Sequence, residues 1–278
     1  MTPQLIRRRP SVFSRLGDSI LTVIGPQSGP IPDVLANVCP NTRSYEEMID
    51  EIQRFRGSIY REDGAIPASV LDAKGRHRTV LDYSSWHFVL LKEGTRIAGC
   101  MRATFHPSST PVSNLKLHEM ITRMSEEQEK CYRAAIQSFL TEASESGRNV
   151  LEAGGWAVAK ELRHSRVASV LVLACYSLAR LLGNCLGIGS AARRNHSADI
   201  LRRLGGFSLT YQGAELVAFH DVHHQGEIEL LWFDCCQVQE TYEQTVKDIE
   251  YYLQDTRIIV PYEAATGYSS HQRCRESA

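Results

Sequence analysis

Apolar and polar positions fall into their clearest pattern between residues 150 and 182 of this 278-residue chain. An extended run, VLEAGGWAV, meets a short basic turn, and the turn leads straight into an apolar stretch, VASVLVLACYSLARLL. The pattern predicts a strand over 150–158, a turn near 160–166 and a long helix to residue 182. Alternation along the strand places Glu152, Gly154, Trp156 and Val158 on one face and Leu151, Ala153 and Ala157 on the other.

The rest of the chain predicts a mixed set of elements. A helix is expected over 45–55, capped by Ser44, with Glu46 and Glu47 in its first turn and Arg54 near its end. Residues 57–75 read as irregular chain. Strands are expected over 86–91 and 96–104, joined by a Glu93-Gly94 turn, and a polar helix over 125–144. Downstream lie a strand at 185–189, a helix at 196–204, strands at 207–211, 216–220 and 227–233, and a helix at 242–253. Antiparallel strands, then a strand–helix–strand–helix unit, then more strands imply an α/β fold with a mixed central sheet. Residues 1–43 read as an extension, 44–235 as the main domain, and 236–278 as a C-terminal helix and tail.

Composition narrows the classes. The chain is 43% hydrophobic and 23% charged with a net charge of −1, the profile of a soluble globular protein and not of a dedicated nucleic-acid binder. No apolar run reaches the roughly 18 residues of a membrane span. The arginines at Arg7, Arg8 and Arg9 are followed by no apolar segment of an export signal. Eight scattered cysteines without a CxxC pair suggest reduced thiols and a cytoplasmic location.

Candidate chemistry gathers at the basic turn. Arg163, His164, Ser165, Arg166, Val167, Ala168 and Ser169 bring two guanidiniums to the free N–H groups of a helix start, a site for a phosphate. A polar loop before a core helix is the plainer alternative. Glu152 is a carboxylate in an apolar strand, a candidate base whose alternative is an ion pair. His220, Asp221, His223 and His224 lie in a turn between strands and read as a polar turn, not a metal site, so no metal is expected.

The order of strand, Arg163 through Ala168 and helix resembles the acyl-donor site of the GCN5-related N-acyltransferase superfamily. Arg166 stands at that motif's central glycine. The run from Asn195 through Ala198 to Gly206-Phe207 resembles the superfamily's closing helix, with Arg202 at its usual tyrosine. Upstream, Arg54-Phe55-Arg56, Tyr60, Asp82, Trp86-His87-Phe88 and Gly99–Arg102 follow the order found in acyl-homoserine-lactone synthases and long-chain N-acyl amino acid synthases. Ser85 and Gly155 replace an Asp and an Arg of the lactone synthases, which points to the amino acid synthase side.

The resemblance implies a mostly antiparallel sheet splayed in its middle and flanked by helices. It also implies transfer of an acyl group, fatty on this branch, from acyl-CoA or acyl carrier protein to the amine of an amino acid or related small molecule. Trp156, Ala157, Val158, Ala159, residues 163–169 and Asn195 would hold the donor. Glu152 would act as base, and Arg102 with Asp82 would receive the acceptor. A short-chain acetyltransferase and a fold that binds without turnover stay open.

Overall fold

The computed structural model describes residue 16, residues 18–163 and residues 165–265; the side chains of Arg166, Val167, Glu263 and Ala265 are outside that description. Its centre is a mixed sheet built from β1 (Ser19–Ile24), β2 (Val38–Pro40), β3 (Ser85–Lys92), β4 (Arg96–His106), β5 (Val150–Val158), β6 (Leu186–Ala192), β7 (Gly206–Ser208), β10 (Phe219–Asp221), β11 (Gly226–Asp234) and β12 (Ile258–Val260). The spatial order is β10-β11-β6-β5-β4-β3-β1-β12-β2, with β7 on β11; β8 (Thr210–Tyr211) and β9 (Ala214–Glu215) pair separately. Neighbours from β1 through β5 run antiparallel, whereas β5 and β6 run parallel.

Early and late segments of the described chain meet in this sheet. β1 pairs antiparallel with β3 and parallel with β12, which in turn pairs with β2. Residues 19–40, expected as an extension, therefore build the sheet's far side, because Leu21 and Val23 bury against the same core as Trp86 and Phe88. Cys39 also departs from the expectation of reduced thiols: it is disulfide-bonded.

Helix α1 (Thr42–Glu62) is longer than expected and starts one turn earlier. Asn41 caps it, its side chain accepting from the Ser44 amide at 3.0 Å. It passes through Gly57 because a side chain there would stand 2.7 Å from the Gly75 carbonyl oxygen, where the following loop folds back on the helix. α1, α2 (Lys116–Ile121) and α3 (Glu126–Glu145) cover one face of the sheet. α4 (Arg166–Leu181), α5 (Ser197–Arg203) and α6 (Glu240–Asp255) cover the other, and Arg180 of α4 ties α6 through Glu243 at 2.7 Å and Glu250 at 3.3 Å. No helix among the described residues is long and apolar enough to cross a membrane.

Candidate active site

β5 carries the site because it loses one neighbour halfway along. It pairs with β6 from Val150↔Leu186 to Ala153↔Gly189 and no further. From Gly154 to Val158 it keeps only β4, so its other edge opens into a cavity of about 1070 Å³. Gly155 adopts a φ of 65°, opposite a break in register between Cys100 and Arg102. That bulge resets the alternation: Ala157 packs with Cys100 beneath α1, while Trp156 and Val158 turn to the α4 side. The strict alternation expected from sequence holds only as far as Gly154.

Beneath α1 and α2, three strands contribute a buried polar stripe: Ser85 and His87, then Arg102, Thr104 and His106, then Glu152. Asp82, 0% exposed, anchors it. Its carboxylate accepts from Arg56 Nη2 at 2.9 and 3.1 Å, Gln53 Nε2 at 2.9 Å, and the Thr79 amide and hydroxyl at 3.0 Å each. Arg102 Nη1 lies 3.5 Å away and donates to Thr79 Oγ1 at 2.5 Å. Burial opposes ionisation of Asp82, yet the Arg56 charge and hydrogen bond outweigh it and hold the carboxyl well below its usual range.

Two guanidiniums thus share one carboxylate, and Arg56 Nη1 and Arg102 Nε remain buried with no hydrogen-bond partner among the described residues. Burial and then Arg56 push Arg102 below the ordinary arginine range, the signature of a cation short of counter-charge. Gly154 leaves space beside the buried Arg102, where an added Cβ would stand 3.4 Å from Nη2. Arg56 lies over Gly155, 3.2 Å from where a side chain would begin. Both arginines line the cavity.

His77 extends this wall. Arg56 Nε donates to its Nδ1 at 3.2 Å, so the ring proton sits on Nε2. Burial, then Arg56, push its pKa down to about 3; burial pushes His87 to about 4. Both rings are neutral in the fold, whereas the unfolded chain protonates them below about pH 6.5. Stability is therefore expected to fall as pH drops from 6.5 toward 4, His87 alone accounting for about 3 kcal/mol at the lower end. Urea unfolding across that range checks this; a midpoint unchanged down to pH 5 would contradict the buried neutral histidines.

Glu152 lines the same cavity but is already occupied. Its oxygens accept from the amides of Leu117 at 2.8 Å and Lys116 at 2.9 Å and meet His106 Nε2 at 3.2 Å. The expected base is thus the anchor of the start of α2, where free amides favour a fixed anion.

After β5, a single turn over Lys160–Leu162 leads into α4. The first N–H groups of α4 lack intrahelical partners, and Ser165, Ala168 and Ser169 border the cavity with Trp156, Ala157 and Val158. Ala159 differs from expectation: its amide donates to the Ala98 carbonyl at 2.9 Å as the strand's last pairing. His164 lies outside the described residues, as do the side chains of Arg166 and Val167.

Arg163 and Asn195, expected to bind the donor, converge on one carboxylate. Arg163 holds Asp63 through two bonds of 2.9 Å, and Asn195 Nδ2 donates to it at 3.1 Å. This pairing fastens the end of α1 to the turn before α4, so Arg163 is committed to a protein anion. Arg202 faces away from the cavity, donating to Ser208 Oγ at 2.8 Å and pairing with Glu229.

From the splay the cavity follows α4 from Ala168 to Ala179, about 16 Å of helix. Its far end is apolar, lined by Val172, Cys175, Leu204, Phe233 and Tyr242. One space therefore joins a buried cationic wall, an open strand edge and a long apolar channel. Sequence reasoning had not assigned Arg56, Asp63 or His77. A signal for Arg56 existed, since Gln53 and Arg56 interrupt the helix face of Tyr45, Ile49, Ile52 and Ile59.

No family model matches the chain, and no curated protein matches it. Among solved structures, FeeM, an N-acyl amino acid synthase from uncultured soil microbes, superposes with a TM-score of 0.50 at 13% identity, over 79% of this chain and 92% of that one. The CoA-dependent acyl-homoserine lactone synthase BjaI, with SAM and isopentyl-CoA, gives 0.51 at 14% identity, over 87% and 92%. At such identities the likeness establishes the fold alone, a mixed sheet flanked by helices that this chain shares with these two enzymes.

Proposed function

We propose that this chain is an N-acyltransferase that moves a fatty acyl group from a thioester of coenzyme A or acyl carrier protein to the amine of an amino acid. The observation that carries the reading is the cavity that joins the Arg56–Arg102 wall to the apolar channel along α4. The channel is far longer than an acetyl group needs, and the volume of about 1070 Å³ slightly exceeds the usual small-molecule pocket of about 300–1,000 Å³.

The roles follow from the chemistry of each wall. The open edge of β5 at Trp156–Val158 offers backbone dipoles to the pantetheine arm and to the thioester carbonyl, where negative charge develops during attack. The first turn of α4, with Ser165 and Ser169, receives the donor's phosphate. Arg102 and Arg56 bind the acceptor's carboxylate, which supplies the missing counter-charge and fixes the amine relative to the carbonyl. Asp82, Gln53 and Thr79 hold those guanidiniums in place.

Mass spectrometry of organic extracts from cells expressing the protein tests the reading. Lipoamino acids absent from control cells are the expected result; extracts identical to the control would count against it. A bulky side chain in the channel is expected to change the product and not to abolish it. Ala179→Trp should shorten the preferred acyl chain by several carbons, as read from competing thioesters of different length. An unchanged chain-length profile would place the acyl tail elsewhere.

A further inference from the structure

The turn between β10 and β11 brings an unassigned pair of groups to the cavity. Asp221, only 3% exposed, ends β10. Its Oδ1 accepts from Arg123 Nε at 3.2 Å and Nη2 at 3.0 Å, and its Oδ2 from the His224 amide at 3.1 Å and from His224 Nδ1. An ionised carboxylate only accepts hydrogen bonds, so the ring proton of neutral His224 is on Nδ1 and Nε2 carries the lone pair. Nε2 meets no partner among the described residues, and His223, His224 and Arg123 all line the cavity. Burial opposes ionisation of Asp221, yet His224 and Arg123 hold it well below the usual carboxylate range. The orienting charge therefore persists throughout the working pH range.

His224 also lies on the acceptor side. After burial and Arg56, a proton on His224 is among the influences that oppose protonation of His77, the ring bonded to Arg56, so the two rings lie within electrostatic reach of each other. Of the groups in this cavity able to take a proton, His77 spends its Nδ1 lone pair on Arg56 and Glu152 is bonded to two amides and His106. His196 also lines the cavity with its Nδ1 bonded to Asp199, but that side chain is 76% exposed; His224, 29% exposed, holds a fixed tautomer and an open nitrogen within the cavity wall.

Resting on the acyltransferase reading, we infer that His224 Nε2 is the base that takes the proton from the acceptor's ammonium group, with Asp221 as its positioning residue. The ammonium N–H bond breaks, its electron pair stays on nitrogen, and the proton bonds to Nε2. The amine then forms a C–N bond to the thioester carbonyl carbon as the C–S bond breaks. Sulfur leaves with the bonding pair and takes a second nitrogen-derived proton, giving amide and thiol; His224 later returns its proton to solvent. The charged and titratable groups around His224 are Asp221 and His223 on its own turn, Arg123 and Lys116 from the α2 side, Arg194 bonded to Gln225, and His77.

The test compares parent, His224→Gln, His224→Ala and Asp221→Asn proteins in acyl transfer from a fatty acyl-CoA to an amino acid across pH 5.5 to 9 (roughly the range over which a histidine base changes charge). Both His224 variants are expected to lose about 10²–10³-fold in kcat with the donor KM unchanged, and to lose the parent's rise of kcat with pH. Added imidazole should restore part of the rate to His224→Ala. Asp221→Asn should lower kcat less and resist rescue. A folded His224→Gln within threefold of the parent at every pH would overturn the assignment while leaving the acyltransferase reading intact. Absence of transfer in the parent itself would overturn that reading, and this inference with it.

Discussion

Replacing Arg102 with glutamine is expected to lower kcat/KM for an amino acid acceptor by about 100-fold, chiefly through KM. Glutamine can still reach Thr79, but it removes one of the two buried guanidiniums that share the Asp82 carboxylate. Losing a hydrogen bond to a charged group costs about 1.5–3 kcal/mol, which sets that scale. The comparison that isolates the effect uses the same acceptor with its carboxylate removed. The parent should prefer the amino acid over the decarboxylated amine by a similar factor, and Arg102→Gln should lose the preference. Equal preference in both proteins would show that Arg102 does not read the carboxylate.

The second large effect is on stability. Asp82→Ala removes the only carboxylate bonded to Arg56 among the described residues and leaves two guanidiniums facing each other in a site that Asp82 had made tolerable. Breaking a buried pair from one side typically costs 3–5 kcal/mol, a large fraction of a domain's stability, so about that loss is expected in urea unfolding. Adding Arg102→Met should recover part of it, because the unpaired charges fall from two to one. A single variant as stable as the parent would mean that water or another group already screens these arginines.

Much of the fold could be read from sequence because its strands and helices carry strong local signals. VLEAGGWAV forms β5 over the span expected, and the apolar run after Arg166 forms α4. β1 was hard to recognise because SILTVI sits among prolines and glycines, and its place in the sheet depends on pairing with residues more than sixty positions away. The bulge at Gly155 was also hidden. A glycine permits a positive φ, but only the register of β4 against β5 requires it.

The site was legible residue by residue and less so by role. Arg102, Glu152 and Asn195 line one cavity, and Asp82 lies behind its wall, bonded to Arg56. What each is bonded to depends on segments far away in sequence. The amides of Lys116 and Leu117 occupy Glu152, Asp63 occupies Arg163, and Asp221 fixes the tautomer of His224. Hydrogen-bond commitments of this kind decide whether a carboxylate or imidazole can move a proton, and no sequence period encodes them.

The central claim is that one cavity joins an acyl thioester to an amino acid. Its most direct measurement is a reaction of the purified protein with a long-chain acyl-CoA or acyl carrier protein thioester and a mixture of amino acids. Thiol release and product mass are followed together. The account predicts thiol release that depends on the amino acid and matches the appearance of an N-acyl amino acid one for one. Thioester that binds but is never consumed with any amino acid present would contradict it.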